Sequence, residues 1–218
     1  MYKKLVAVLI VLSFLLSSYA ALGTSVAADA SKIGVKTGDW IEYNVTTSGN
    51  PPPEKNIVWA RMEILDIQGD SFRTNTTGRD ANGTLSSFIR TFNFPEGQVS
   101  AWIIIPANLG SGDSFYDAVE GRNFTINGEE QKTIAGATRT TTYIDVPGRF
   151  KRWDKSTGVF VETIDDLGNF TVNATVLATN MWSPQILGLD QTLFYGIVIV
   201  VVIAVVALVI VFVARRKK

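Results

Sequence analysis

The end of the chain constrains everything before it. From Leu193 to Ala214 there are 22 residues without a charge, mostly Val and Ile, and Arg215-Arg216-Lys217-Lys218 follow directly. About 20 apolar residues span the hydrocarbon core of a bilayer, where only a helix or a closed barrel satisfies its own backbone. A flanking Lys/Arg cluster stays cytoplasmic, and aromatic rings such as Trp182, Phe194 and Tyr195 favour the opposite membrane–water boundary. The pattern predicts a transmembrane helix over 193–214, a cytoplasmic basic tail over 215–218, and the bulk of the chain outside the cell. Neither Leu-Pro-x-Thr-Gly nor Pro-Gly-Phe precedes the span, so it reads as a retained anchor. A four-residue tail is too short for a docking or catalytic domain.

The start of the chain matches this topology. Lys3 and Lys4 precede an apolar run from Leu5 to Leu16, and small residues continue to Ala28. A basic region, an apolar core and Ala-x-Ala-like sites describe a secretory signal over 1–28. Cleavage after Ala28 or after Ala20 fits, and a retained signal anchor is the alternative. The six basic residues at the two ends leave 14 Lys and Arg against 20 Asp and Glu between 29 and 191, about −6. Nucleic acid is a poor partner for such a surface.

The segment between the ends, a domain over 29–180 and a membrane-proximal linker over 181–192, reads as strands. Ile41, Tyr43 and Val45 alternate with Glu42, Asn44 and Thr46. Phe170, Val172, Ala174, Val176 and Ala178 alternate with Thr171, Asn173 and Thr175. Period-two alternation marks a strand with one covered face. Further strands are expected near 57–67, 71–77, 84–94, 99–105, 122–126, 129–135, 138–146, 149–154 and 159–164. Turn residues separate them, among them Gln68-Gly69-Asp70, Asn82-Gly83, Asn127-Gly128, Pro147-Gly148 and Ser156-Thr157-Gly158. Asn-Gly favours hairpins because a type I′ turn needs positive φ at both central residues. Asn50-Pro51-Pro52-Pro53-Glu54 predicts a stiff connection after the first strand. Val99–Ile105 is apolar in both phases, which predicts a central strand covered on both faces. The fold class expected is mostly β: one curved antiparallel sheet, a half-barrel or barrel, with a β-sandwich as alternative.

Asn-x-Thr occurs at Asn44, Asn75, Asn82, Asn123, Asn169 and Asn173, where the Asn and Ser/Thr content predicts roughly two. Glycans must face solvent. Asn44, Asn75, Asn123 and Asn173 fall on the phase opposite the apolar residues, and Asn82 and Asn169 fall in turns. These six are the candidate glycosylation sites.

Catalytic chemistry is poorly provided for. The chain has no Cys and no His, hence no thiolate, no disulfide and no imidazole base or ligand. Glu129-Glu130 point to opposite faces of a strand, and Asp165-Asp166 sit in a turn without an alternating calcium pattern. Gly38-Asp39-Trp40 and Gly112-Asp113-Ser114 echo each other as turn chemistry. No catalytic residue, cofactor or metal ligand is assigned.

Phe150-Lys151-Arg152-Trp153-Asp154-Lys155-Ser156-Thr157-Gly158-Val159-Phe160-Val161-Glu162 resembles the strand–turn–strand of the bacterial lipoprotein-carrier superfamily. The whole layout also looks like uncharacterised archaeal single-pass surface proteins, with a signal, a Gly-Asp-Trp-x-x-Tyr opening strand and a C-terminal anchor. The carrier resemblance implies a half-open antiparallel sheet whose apolar concave face holds acyl chains. Together these features describe a membrane-anchored cell-surface binding or envelope-structural protein without catalytic activity. The alternative is a carrier or sensor of an apolar, lipid-like ligand, and the third reading is a carboxylate-dependent glycan hydrolase. Expected partners are the membrane and either surface proteins or that ligand.

Protease added to intact cells is expected to remove residues from Asp29 to about Gln191 and leave a small basic membrane fragment. Protection of the central region in intact cells would overturn the topology.

Overall fold

The computed structural model describes residues 33–52 and 56–216, all within one unit, Ser31–Lys218. The signal segment 1–28, Pro53–Glu54 of the proline run, and Lys217 and Lys218 lie outside the described residues. The main element is a curved antiparallel sheet of nine strands. Its first meander comprises β1 (Trp40–Gly49), β2 (Ile57–Gln68), β3 (Ser71–Asp80) and β4 (Leu85–Asn93). Its second comprises β7 (Gly128–Ile134), β8 (Ala137–Val146), β9 (Arg149–Asp154), β10 (Phe160–Asp166) and β11 (Phe170–Thr179). A two-stranded sheet of β5 (Ser114–Asp117) and β6 (Arg122–Thr125) stands between the meanders in sequence. A second such sheet, β12 (Gln185–Ile186) and β13 (Leu189–Asp190), precedes the helix α1 (Gln191–Arg216).

The strand order is β4-β3-β2-β1-β11-β10-β9-β8-β7. The first and last long strands therefore lie side by side, with Tyr43 paired to Val176 and Val45 to Ala174. The edges are β4 and β7, which are the strands nearest each other in sequence on either side of the 94–127 insertion. That insertion must reach from one edge of the sheet to the other.

Alternation decides which face is covered. Ile41, Tyr43 and Val45 of β1, Met62 and Ile64 of β2, and Phe72 of β3 are buried on the inward phase. Ala174 of β11, Val161 of β10, Trp153 of β9 and Ile144 of β8 continue the same core. Tyr43 stacks on Phe160 with ring centroids 4.1 Å apart, and its hydroxyl donates to the Phe160 carbonyl.

Val99, Trp102, Ile104 and Ile105 are buried, while Ala101 is exposed and Ile103 half-buried, and the segment is not a strand. Ser100, Ala101 and Trp102 have φ of 40°, 52° and 62°, a left-handed turn. Each such non-glycine residue costs about 1–2 kcal/mol. No ladder forms along it among the described residues: its strand-like pairing is an isolated bridge, Ile104 to Val159, flanked by bonds from the Phe160 amide to the Ile103 carbonyl and from the Ile105 amide to the Gly158 carbonyl. A pattern that is apolar in both phases fits a doubly covered strand and an irregular plug equally well, and strand pairing separates them. The Asn127-Gly128 hairpin is also absent. β6 pairs with β5 instead, and Asn127 accepts from the Asp145 amide as the chain crosses to the main sheet. β5 itself was hidden inside what reads as turn chemistry at Gly112-Asp113. Both Gly-Asp motifs do form the same turn: Asp39 accepts the Lys36 amide and Asp113 the Gly110 amide.

Gly158 locks the plug to the sheet. Its φ is 72°, and a Cβ there would lie 2.1 Å from the Ile105 carbonyl oxygen. Gly158→Ala is expected to lower the unfolding free energy by about 2–4 kcal/mol, through overpacking added to backbone strain. Gly148 has φ of 76° but meets nothing closer than 3.6 Å, so Gly148→Ala should cost only about 1 kcal/mol. Equal losses in denaturant unfolding of the full chain would contradict the lock.

Candidate functional site

The concave face of the sheet is where a ligand would be sought, and the chain fills it. Trp102 is fully buried there, with its ring 4.2 Å from Phe124, 5.9 Å from Phe115 and 6.4 Å from Trp153. Its indole N–H donates to Asp117 Oδ2 at 2.7 Å, and Asp117 Oδ1 accepts the amides of Val119 and Glu120. The Trp102 carbonyl accepts from the Trp153 indole at 2.8 Å, and the Ala101 carbonyl from Lys151 Nζ at 2.8 Å. Arg149 lies over the Trp102 ring at 4.4 Å. A buried donor or acceptor left unpaired costs about 1–3 kcal/mol, so these bonds are what allow polar groups and a strained turn to stand in an apolar interior.

Lys151 is the unusual member. It shares the inward phase of Trp153 along β9, and it is almost entirely covered. Burial pushes its pKa down, countered in part by Asp165, whose Oδ2 lies 3.5 Å from Nζ. A lysine on the inward phase beside a tryptophan was a legible signal in the sequence. Asp117 and Trp102 carried no such signal, because their pairing closes over a separation of 15 residues that strand alternation does not relate.

The hairpin quoted for the carrier resemblance is present as β9, a turn and β10. Asp154 is fully buried at its corner and accepts from Arg139, Ser156 and both the amide and hydroxyl of Thr157. Burial alone would push its carboxyl up; these donors hold it below the ordinary carboxylate range. On the outer face, Glu130 and Glu162 both pair with the Arg152 guanidinium, and Lys132 donates to Glu162 at 2.6 Å. Glu129 stands on the other side of β7 and pairs with Lys155 at 2.7 Å. Asp165 faces Lys151, while Asp166 caps the turn at Gly168.

The sequons stand where alternation put them. Asn44, Asn82, Asn123, Asn169 and Asn173 are exposed, and Asn75 is half-buried on β3. At the other end, Trp182 is not free to sit at a membrane boundary. It is buried against the β7–β8 turn, donating to the Ile134 carbonyl at 3.0 Å under the Arg139 guanidinium. Two surface hollows open to solvent measure about 120 Å³ near Phe72 and Thr91 and about 490 Å³ between Pro184 and Tyr195. Neither is lined by Trp102 or Trp153.

No protein-family model and no curated protein matches the chain. Among solved structures it is similar to the siderocalin Ex-FABP, which functions through dual ligand specificities, at 11% identity over 64% of this chain and 70% of that one, with a TM-score of 0.24. A likeness that slight says nothing about what this chain binds.

Asp154 sets an acid limit. A carboxyl depressed in the folded state contributes stability that is present above its unfolded pKa, about 3.9, and lost as pH falls through the lower folded value. Asp154→Asn is expected to lower stability at neutral pH by on the order of 3 kcal/mol and to flatten the acid limb of the stability–pH curve. An unchanged acid limb in chemical denaturation would show that Asp154 is not the group responsible.

Proposed function

We propose that this chain is a membrane-anchored, outward-facing binding or envelope-structural protein of the cell surface, glycosylated and without catalytic activity of its own. The observation that carries the reading is α1. Its 26 residues are long and apolar enough to cross a membrane, and none of them is buried against the rest of the chain. Arg215 and Arg216 end it, and by the charge rule this supports an outward-facing sheet domain.

The sheet domain offers convex and edge surfaces for contact, since its concave face is taken up by Trp102, Phe115 and Phe124. β4 is an edge strand with Leu85 and Phe88 exposed. An apolar ligand of the carrier kind would have to displace the Trp102 plug, and the left-handed backbone of Ser100–Trp102 is the observation that keeps that reading in view. The six sequons are proposed glycan sites, with export supplied by the 1–28 signal.

Since the chain is free of cysteine, single-cysteine variants report topology cleanly. Ser87→Cys should react with a membrane-impermeant maleimide on intact cells, and Lys217→Cys only after lysis. The reverse labelling would overturn the orientation. A stoichiometric apolar molecule released from nanodisc-held protein only on unfolding would favour the carrier. Turnover of a glycan abolished by Glu130→Gln or Glu162→Gln would favour the hydrolase.

A further inference from the structure

Each of the four sequons that lie in strands stands in register with an apolar or aromatic side chain on a neighbouring strand of its own sheet. Asn44 of β1 pairs with Trp59 of β2, and Asn75 of β3 with Ile89 of β4. Asn123 of β6 pairs with Tyr116 of β5, and Asn173 of β11 with Ile164 of β10. Three of these neighbours are among the large apolar side chains left in water: Ile89 at 61% exposure, Tyr116 at 47% and Ile164 at 41%. Trp59 is half-buried with the Arg79 guanidinium 5.7 Å from its ring.

Residues directly opposite across two antiparallel strands have Cβ atoms about 4.5–5.5 Å apart. A pyranose linked to the Asn amide nitrogen extends outward beside that neighbour. Its ring has a face of C–H groups, which suits an indole, a phenol ring or a branched aliphatic side chain. A single protein partner is a poor alternative cover. The four pairs sit on β1–β2, β3–β4, β5–β6 and β10–β11, and exposed apolar side chains scattered singly do not make one docking patch.

We propose that the first sugars on Asn44, Asn75, Asn123 and Asn173 lie over Trp59, Ile89, Tyr116 and Ile164, so that the chain's own glycans cover these side chains on the nine-stranded sheet and on the β5–β6 sheet. This rests on the glycosylated reading above and adds to it a structural role for each strand glycan. Asn82 is the internal control. It lies in the β3–β4 turn, where its Oδ1 accepts from the amide and hydroxyl of Thr84, and it has no strand neighbour to cover.

The experiment is hydroxyl-radical footprinting of the full chain purified from its native host, after mass spectrometry has fixed which sequons are occupied. Asn123→Gln is expected to raise oxidation of Tyr116 several-fold and to leave Tyr143 unchanged. Thr125→Val, which abolishes the same sequon but keeps Asn123, should do the same, while Asn82→Gln should change neither. Asn75→Gln should act on Ile89 in the same way. Occupied sites whose loss leaves Tyr116 and Ile89 equally reactive would overturn the cover and spare the glycoprotein reading. Empty sequons at all four strand positions would overturn the cover, and empty sequons at all six would overturn the glycoprotein reading with it.

Discussion

The burial of Trp102 is the contact on which the rest of the sheet domain depends. A curved sheet with an apolar concave face has to be filled, and large apolar side chains each contribute roughly 1.5–3 kcal/mol when covered. The strand order makes the filling available. Because β1 and β11 pair at the middle of the sheet, the chain leaves the first meander at one edge and must enter the second at the other. The 94–127 insertion makes that crossing, and it carries Val99, Trp102, Ile104, Ile105, Phe115 and Phe124 into the core. The left-handed turn that aims Trp102 is held by groups from β9, the indole of Trp153 and the ammonium of Lys151, and by the carboxylate of Asp117.

β9 is accordingly covered on both faces. Inward, Lys151 and Trp153 hold the plug. Outward, Arg152 lies between the rings of Tyr143 and Phe150 and the carboxylates of Glu130 and Glu162. Buried or half-buried charges of this kind stabilise only when their partners are in place, and removing one partner leaves the other stranded. The hairpin that resembled a carrier motif is thus a structural corner here: Asp154 closes its turn, and Gly158 lets the plug approach the backbone.

The connection to α1 is built into the fold. Asn180 accepts the Trp40 amide and donates to the Gly38 carbonyl, Trp182 docks under Arg139, and the Gln185 amide donates to Gly136. Asp190 then caps the helix by accepting the amides of Thr192 and Leu193, which hold its carboxyl below the ordinary range. What reads in sequence as a linker over 181–192 is a hydrogen-bonded connector with its own short hairpin.

Local chemistry was enough for much of this. The charge-free run at 193–214 implied a long apolar helix, and period-two alternation located most of the long strands, because both depend on residues adjacent in sequence. The inward phase of Tyr43 and the outward phase of Asn44 and Asn173 followed from the same alternation. Pairing was another matter. That β1 meets β11, that Asn123 faces Tyr116 rather than crossing an Asn-Gly hairpin, and that Val99–Ile105 is a plug were settled by which strands had partners left. Long-range pairing depends on the closure of the whole sheet, and a side chain such as Trp102 shows its apolar character in the sequence but not the surface against which it will be buried.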